Sequence, residues 1–215
     1  MLNRLFTLAV IGVAAACSGP VPAQADNLVA GQDYIELAQP QPTASGDKIE
    51  VVEVFGYWCI HCAHLDPTIA KWKAEQPDDV AVTYMPAVFS GGIEEVFARA
   101  YYTAETMGLV EKTHTLMFTK AAVERSIRTP DQILQVYVDA GVSKEDFEAT
   151  MSSFAVNAKI ARTKQVLPRY QIEGTPTLIV AGKYKVSVTR DGGFEGMLKV
   201  ADQLIARERD AKKAS

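Results

Sequence analysis

The chain has 215 residues, 48% hydrophobic and 22% charged, with a formal net charge of −4, three histidines and three cysteines. That is enough apolar sequence for one well-buried soluble domain carrying an insertion. The mildly acidic balance, with no basic stripe and no aromatic–basic interleaving, excludes the usual footprint of a nucleic-acid-binding protein.

Met1 to Ala16 carries one charge, Arg4, ahead of a nearly uninterrupted apolar run from Leu5 to Ala16, and Ala23-Gln24-Ala25 is a small-x-small pattern. Residues 1–25 therefore read as a secretory signal peptide cleaved after Ala25. The apolar run is too short to span a bilayer comfortably. Ala14-Ala15-Ala16-Cys17 also resembles a lipoprotein box, with Ala14 where Leu is usual, so a lipid anchor on Cys17 is the alternative. Cleavage after Ala25 would remove one base, Arg4, and leave 190 residues with 21 bases against 26 acids, a net charge of −5. Cys59 and Cys62 would then be the remaining cysteines. Exported chains generally use cysteines as several structural staples, and one close pair points instead to a working disulfide.

Along the mature chain, Tyr34 to Leu37 is a short candidate strand before a loop punctuated by Pro40, Pro42, Ser45 and Gly46. Ile49 to Phe55 has the β-branched content of a central strand. Beyond Cys59, the spacing of Cys62, Leu65, Ile69 and Trp72 predicts a helix with one apolar face, and Pro67 should kink or interrupt it. A strand over Val80 to Met85 should end at Pro86. The next signals are helical: Glu94 to Met107 stopped by Gly108, then Leu109 to Ala122. Thr129-Pro130-Asp131-Gln132 follows as an N-cap with Pro in the first turn and a capping-box Gln, opening a helix that ends at Gly141. Ser143 to Asp146 caps another helix, and Phe154 to Leu167 is the last of the block, halted by Pro168. Strands return at Thr177 to Val180 and Tyr184 to Val188. A C-terminal amphipathic helix carries Phe194, Met197, Leu198, Ala201 and Ile205, with Arg207 to Lys213 as a solvated, frayed end. This order predicts a sheet with helices packed on it and a helical block inserted between its halves.

The chemistry concentrates in Cys59-Ile60-His61-Cys62, at the junction of a strand and a helix. A sulfur at the first position sits at the positive end of the helix, where a thiolate is favoured. Two other readings compete. A structural staple across four residues closes almost no chain entropy. A metal site would need more ligands than the two cysteines with His61 and His64 supply, since tetrahedral sites draw a second ligand pair from elsewhere. Redox exchange is the remaining reading: Cys59 as the exposed nucleophile, Cys62 buried one turn in, and His61 adding a donor or partial positive charge beside the Cys59 sulfur. Lowering the Cys59 pKa stabilises the reduced state and makes the disulfide oxidising, by about 30 mV per unit.

Val54-Phe55-Gly56-Tyr57-Trp58-Cys59-Ile60-His61-Cys62 resembles the strand, aromatic lead-in and C-x-H-C site of the DsbA-type thiol oxidases of the bacterial periplasm, within the thioredoxin superfamily. Gly174-Thr175-Pro176-Thr177 resembles that family's cis-proline loop, although an isolated X-Pro bond would read as trans. The similarity covers nearly all of residues 30–207. It implies an α/β, thioredoxin-like fold over residues 26–91 and 168–215, with an all-helical domain inserted at 92–167. It also implies catalytic roles for Cys59, Cys62, His61 and Glu53, the last as a buried acid beneath the disulfide that assists proton transfer at Cys62. Thr175 and Pro176 would face the sulfurs and pair with an extended substrate peptide. Trp58, Tyr57 and Pro176 would form an exposed apolar surface for unfolded chains. No cofactor or metal is implied. The implied partners are newly exported cysteine-containing proteins and a DsbB-type, quinone-linked inner-membrane reoxidase, served by a monomer. Ile60 stands where the family frequently has Pro, and Thr175 where many relatives have Val; both departures bear on the potential. Two alternatives stay open. One is an isomerase or reductase of the same superfamily, although periplasmic isomerases usually carry an N-terminal dimerisation domain and fewer than 25 residues precede the first strand here. The other is a periplasmic metallochaperone using Cys59, Cys62 and a His.

Overall fold

A computed structural model describes residues 27–189 and 192–214; the stretch read as a signal peptide, residues 1–25, and Cys17 within it lie outside the described residues. Five strands form one mixed sheet: β1 (Ile35–Glu36), β2 (Ile49–Phe55), β3 (Val80–Pro86), β4 (Thr177–Val180) and β5 (Tyr184–Ser187), in the order β1-β5-β4-β2-β3. The pair β2–β3 is parallel, and β2–β4, β4–β5 and β1–β5 are antiparallel. Helix α1 (Ile60–Ala74) makes the crossover between the two parallel strands. Between β3 and β4 come α2 (Ile93–Thr106), α3 (Val110–Phe118), α4 (Pro130–Asp139), α5 (Lys144–Met151) and α6 (Phe154–Arg169); α7 (Gly193–Lys213) closes the chain.

All seven residues of β2 are buried, which explains why its apolar character is nearly continuous rather than alternating. Ile49 and Val51 pack with Leu65, Ile69 and Trp72 of α1 and with Met197, Leu198 and Leu204 of α7. Val52 and Val54 point to the other face, against Leu167, Tyr170, Ile172 and Ile179. Glu50 is tolerated there because it accepts from the Ala44 amide at 2.9 Å and from Ser45 Oγ at 2.6 Å. Phe55 ends the strand inside a third cluster, edge-on to Tyr57, Tyr101, His114 and Phe118. These rings join the end of the sheet to the helical block.

Several expectations need correction. Helix α1 runs through Pro67, which lies on its exposed side, without interruption. Helix α6 likewise includes Pro168 and continues to Arg169. The segment after Phe118 is a π-helical stretch, Thr119–Val123, rather than a continuation of α3. The charged end of α7 is anchored rather than frayed. Glu208 is buried and receives hydrogen bonds from Lys183 Nζ at 2.6 Å and Tyr184 OH at 2.9 Å, while Arg209 holds both oxygens of Asp79 at 2.5 and 2.9 Å. The capping box on α4 is present as read, with Thr129 Oγ1 accepting from Gln132 N and the Gln132 side chain reaching back.

Candidate active site

Cys59 is the N-cap of α1, in extended conformation (φ −91°, ψ 113°), and its Sγ accepts from the Cys62 amide at 3.3 Å. The cap turns the sulfur towards the unsatisfied donors of the first turn, which contains no acidic residue. Both cysteines are free, so the structure shows the dithiol. The Cys59 thiol is drawn down from 9.0 to about 5: the Cys62 side chain contributes most, burial opposes it, and the Thr175 side chain and the Cys62 and His61 backbone amides add to the lowering. Cys62 is pushed up, first by burial and then by the neighbouring Cys59 sulfur. One proton shared by two sulfurs thus settles on the inner one.

Neither sulfur is openly exposed. Cys59 is 7% exposed and Cys62 0%, which corrects the picture of a solvent-exposed nucleophile; Cys59 is the reachable one of two nearly covered thiols. The Thr175–Pro176 peptide is cis, and Cys59 Sγ lies 3.4 Å from the Thr175 carbonyl oxygen. Thr175 Oγ1 is buried with no conventional hydrogen-bond partner, and the sulfurs are the groups it favours in their ionised form. His61 is exposed, and what it turns to the Cys59 sulfur is its backbone N–H. His61 also lines a cavity of about 350 Å³ with Thr175, Pro176, Lys185, Val188 and Phe194. Trp58 is 37% exposed and lies edge-on to Phe89, whereas Tyr57 is 1% exposed and belongs to the core. The expected apolar surface therefore loses Tyr57 and gains Phe89. Gly56 leaves room for the Trp58 ring: a Cβ on it would lie 2.6 Å from that ring.

By strand alternation Glu53 falls with Ile49 and Val51 on the α1 face of β2, and it is 1% exposed. Its carboxyl is raised from 4.5 to about 8 by burial, then by Asp66 and Cys59, with Lys73 opposing. At neutral pH it holds a proton within the field of the active sulfur. Sequence reasoning missed the groups around it. Asp66 is buried, accepts from Thr115 Oγ1 at 2.7 Å and is raised by burial. His114 lies 3.7 Å from Asp66, but burial lowers its pKa to about 3, so this contact is not an ion pair at neutral pH; its Nδ1 pairs with Tyr57 OH at 2.8 Å. The available signal was spacing: Asp66 stands one turn beyond Cys62 on the same helix, on the face that carries Ile69. Among the described residues no three His, Cys, Asp or Glu side chains form a metal-holding group, and no helix is long and apolar enough to cross a membrane.

A reversible dithiol capping a helix, opposed by an X-Pro loop on a thioredoxin-like sheet, defines a thiol:disulfide oxidoreductase. Residues 50–195 match the DSBA-like thioredoxin domain. The thiol:disulfide interchange protein DsbA of Pseudomonas aeruginosa is 40% identical over 192 residues, covering 89% of this chain and 90% of that one. The DsbA of Pseudomonas syringae pv. tomato is 39% identical over the full length of both chains. The crystal structure of P. aeruginosa DsbA superposes with a TM-score of 0.82 at 39% identity, covering 88% of this chain and 98% of that one. The chain belongs to the DsbA family.

Proposed function

We propose that this enzyme works in the periplasm, donating the Cys59–Cys62 disulfide to newly exported proteins, and that a DsbB-type, quinone-linked partner in the inner membrane recharges it. On this reading residues 1–25 are the signal peptide, 26–91 and 168–215 the thioredoxin-like unit, and 92–167 the inserted helical unit. The observation that carries the proposal is the split between the sulfurs: Cys59 held near pKa 5 at the helix cap, Cys62 sealed and protonated.

A substrate thiolate attacks Cys59 Sγ of the disulfide, forming the mixed disulfide and releasing Cys62 as a thiolate that takes up a proton. On this reading the proton comes from Glu53, which is buried, protonated near neutrality and within the field of the Cys59 sulfur. The substrate's second thiolate then attacks its own sulfur in the mixed disulfide and expels Cys59. Cys59 leaves readily because its thiolate is stabilised. Two electrons pass from the substrate dithiol to the enzyme, which ends as the dithiol seen here. Thr175, 3.4 Å from the attacked sulfur, offers its backbone to an extended substrate, with Pro176 and Trp58 flanking. Equilibration with glutathione tests the assignment: an oxidising potential is expected, and one as reducing as that of thioredoxin would overturn it.

A further inference from the structure

Two clefts adjoin the active-site turn, one reached by His61 and one by Trp58. One, beside Thr175 and Pro176, belongs to the site described above. The other, of about 280 Å³, opens beyond Trp58 between the active-site turn and the helical block. Trp58, Ile93, Phe97 and Ile127 form its apolar wall, and Arg125 and Arg128 line it with charge. Three observations suggest that this second cleft is built for a ligand rather than left over from packing.

The first is backbone irregularity. The cleft is bordered by the π-helical stretch Thr119–Val123, closed by Glu124 N to Thr119 O at 2.8 Å, and π-helical turns concentrate at functional sites. The chain leaves it through Arg125, whose φ of 54° lies in the left-handed region that a bulky residue rarely adopts. The second is charge. Arg125 and Arg128 are both exposed, and among the described residues neither guanidinium is held by a carboxylate; the adjacent Glu124 is taken up by Lys120 at 2.9 Å. Two unpaired guanidiniums on a mildly acidic protein favour an anionic ligand. The third is an apolar anchor: Trp58 lies over Gly56 and against Phe89 and is 37% exposed. A partly exposed indole beside charge suits a polypeptide side chain.

We propose that this cleft is a second subsite for the substrate polypeptide, taking an apolar side chain beside an Asp or Glu that pairs with Arg125 and Arg128. Trp58 is covalently next to Cys59, so an extended chain joined to the sulfur reaches the cleft within a few residues, at roughly 3.3 Å each. The subsite makes the enzyme prefer cysteines flanked by acidic–aromatic sequence, and it rests on the reading that Cys59 exchanges with polypeptide thiols.

The test uses two dithiol peptides that differ only in whether the aromatic residue flanking the reactive cysteine is followed by Glu or by Lys. Their oxidation by the disulfide form of the enzyme is followed by stopped-flow at low ionic strength, with dithiothreitol as the control. The wild type should show a kcat/KM about fivefold higher for the Glu peptide, the discrimination two partly screened ion pairs supply. R125E/R128E should abolish or invert the preference, and R125K/R128K should keep it, with dithiothreitol oxidised at the same rate by all three proteins. Equal rates for the two peptides in the wild type, or an unchanged preference in R125E/R128E, would overturn the subsite. Failure to oxidise dithiothreitol would overturn the exchange reading beneath it.

Discussion

Replacing Glu53 by Gln isolates the cost of keeping an acid inside the sheet. In the folded dithiol its pKa is about 8, against 4.5 in water, and the largest cause is burial. Below pH 4.5 the carboxyl is protonated whether the chain is folded or not, and it costs nothing in ionisation. As pH rises from 4.5 to 8 the unfolded chain gives up this proton while the folded chain keeps it, so stability falls through that window and levels off above it. At pH 7 the loss amounts to about 3 kcal/mol, an upper figure for a site this buried. An uncharged isostere avoids it. Urea unfolding of the reduced protein and of Glu53→Gln, measured from pH 4.5 to 8, should show the variant gaining on the wild type as pH rises, by most of that amount at pH 7. Release of Cys62 in the mixed disulfide should be slower in the variant, since the proposed proton source is gone. Parallel stability curves across the window would refute the reasoning, because they would mean that Glu53 ionises in the folded protein as it does in water.

Thiolate absorbance near 240 nm should titrate with a midpoint near 5 for Cys59, and Glu53→Gln should leave that midpoint in place because Glu53 is still neutral at that pH. The reduced form should outlast the disulfide form in thermal melts at neutral pH and lose that advantage as pH falls through the midpoint. Thr175→Val removes a hydroxyl that favours the thiolate, so the Cys59 midpoint should rise by less than about one unit and the glutathione equilibrium shift towards a less oxidising protein. Ile60→Pro places proline at the first helical position, where it is well tolerated, and leaves the His61 and Cys62 amides in place; the titration midpoint should stay within about half a unit. Gly56→Ala forces the Trp58 ring aside, which should redden tryptophan emission and lower the rate with peptide substrates more than with dithiothreitol.

How much of this was legible in the sequence depended on how local the cause was. Strand β2 could be placed to the residue because burial on both faces left nothing but β-branched and aromatic positions around two acids. The caps of α4 and α5 were legible for the same reason: Thr129 and Ser143 satisfy amides three residues away, whereas the matching cap of α6 by Ser153 was not read. Both prolines were misread because a helix packed on a core tolerates a missing hydrogen bond on its outer side, which propensity cannot foresee. The end of α7 looked frayed because its partners, Asp79, Lys183 and Tyr184, are distant in sequence. At the site, Cys59, Cys62 and the Thr175–Pro176 loop were visible as motifs. The source of the thiolate's stabilisation was visible in part: the helix start was read as favouring it, but the leading contribution of the Cys62 side chain was not foreseen, and His61 contributes through its backbone amide. Tyr57, Asp66 and His114 were hidden because their roles come from burial against α3, a long-range fact.

The sealing of Cys62 has a consequence for traffic. With the inner sulfur at 0% exposure, every disulfide that enters or leaves the protein passes through one atom, Cys59 Sγ. Charging and discharging cannot overlap, so the agent that recharges the enzyme and the chains that discharge it are mutually exclusive visitors to a single berth. A flood of unfolded chains would slow recharging by occupancy alone, with no change in any potential, and throughput would be set by how quickly each visitor departs.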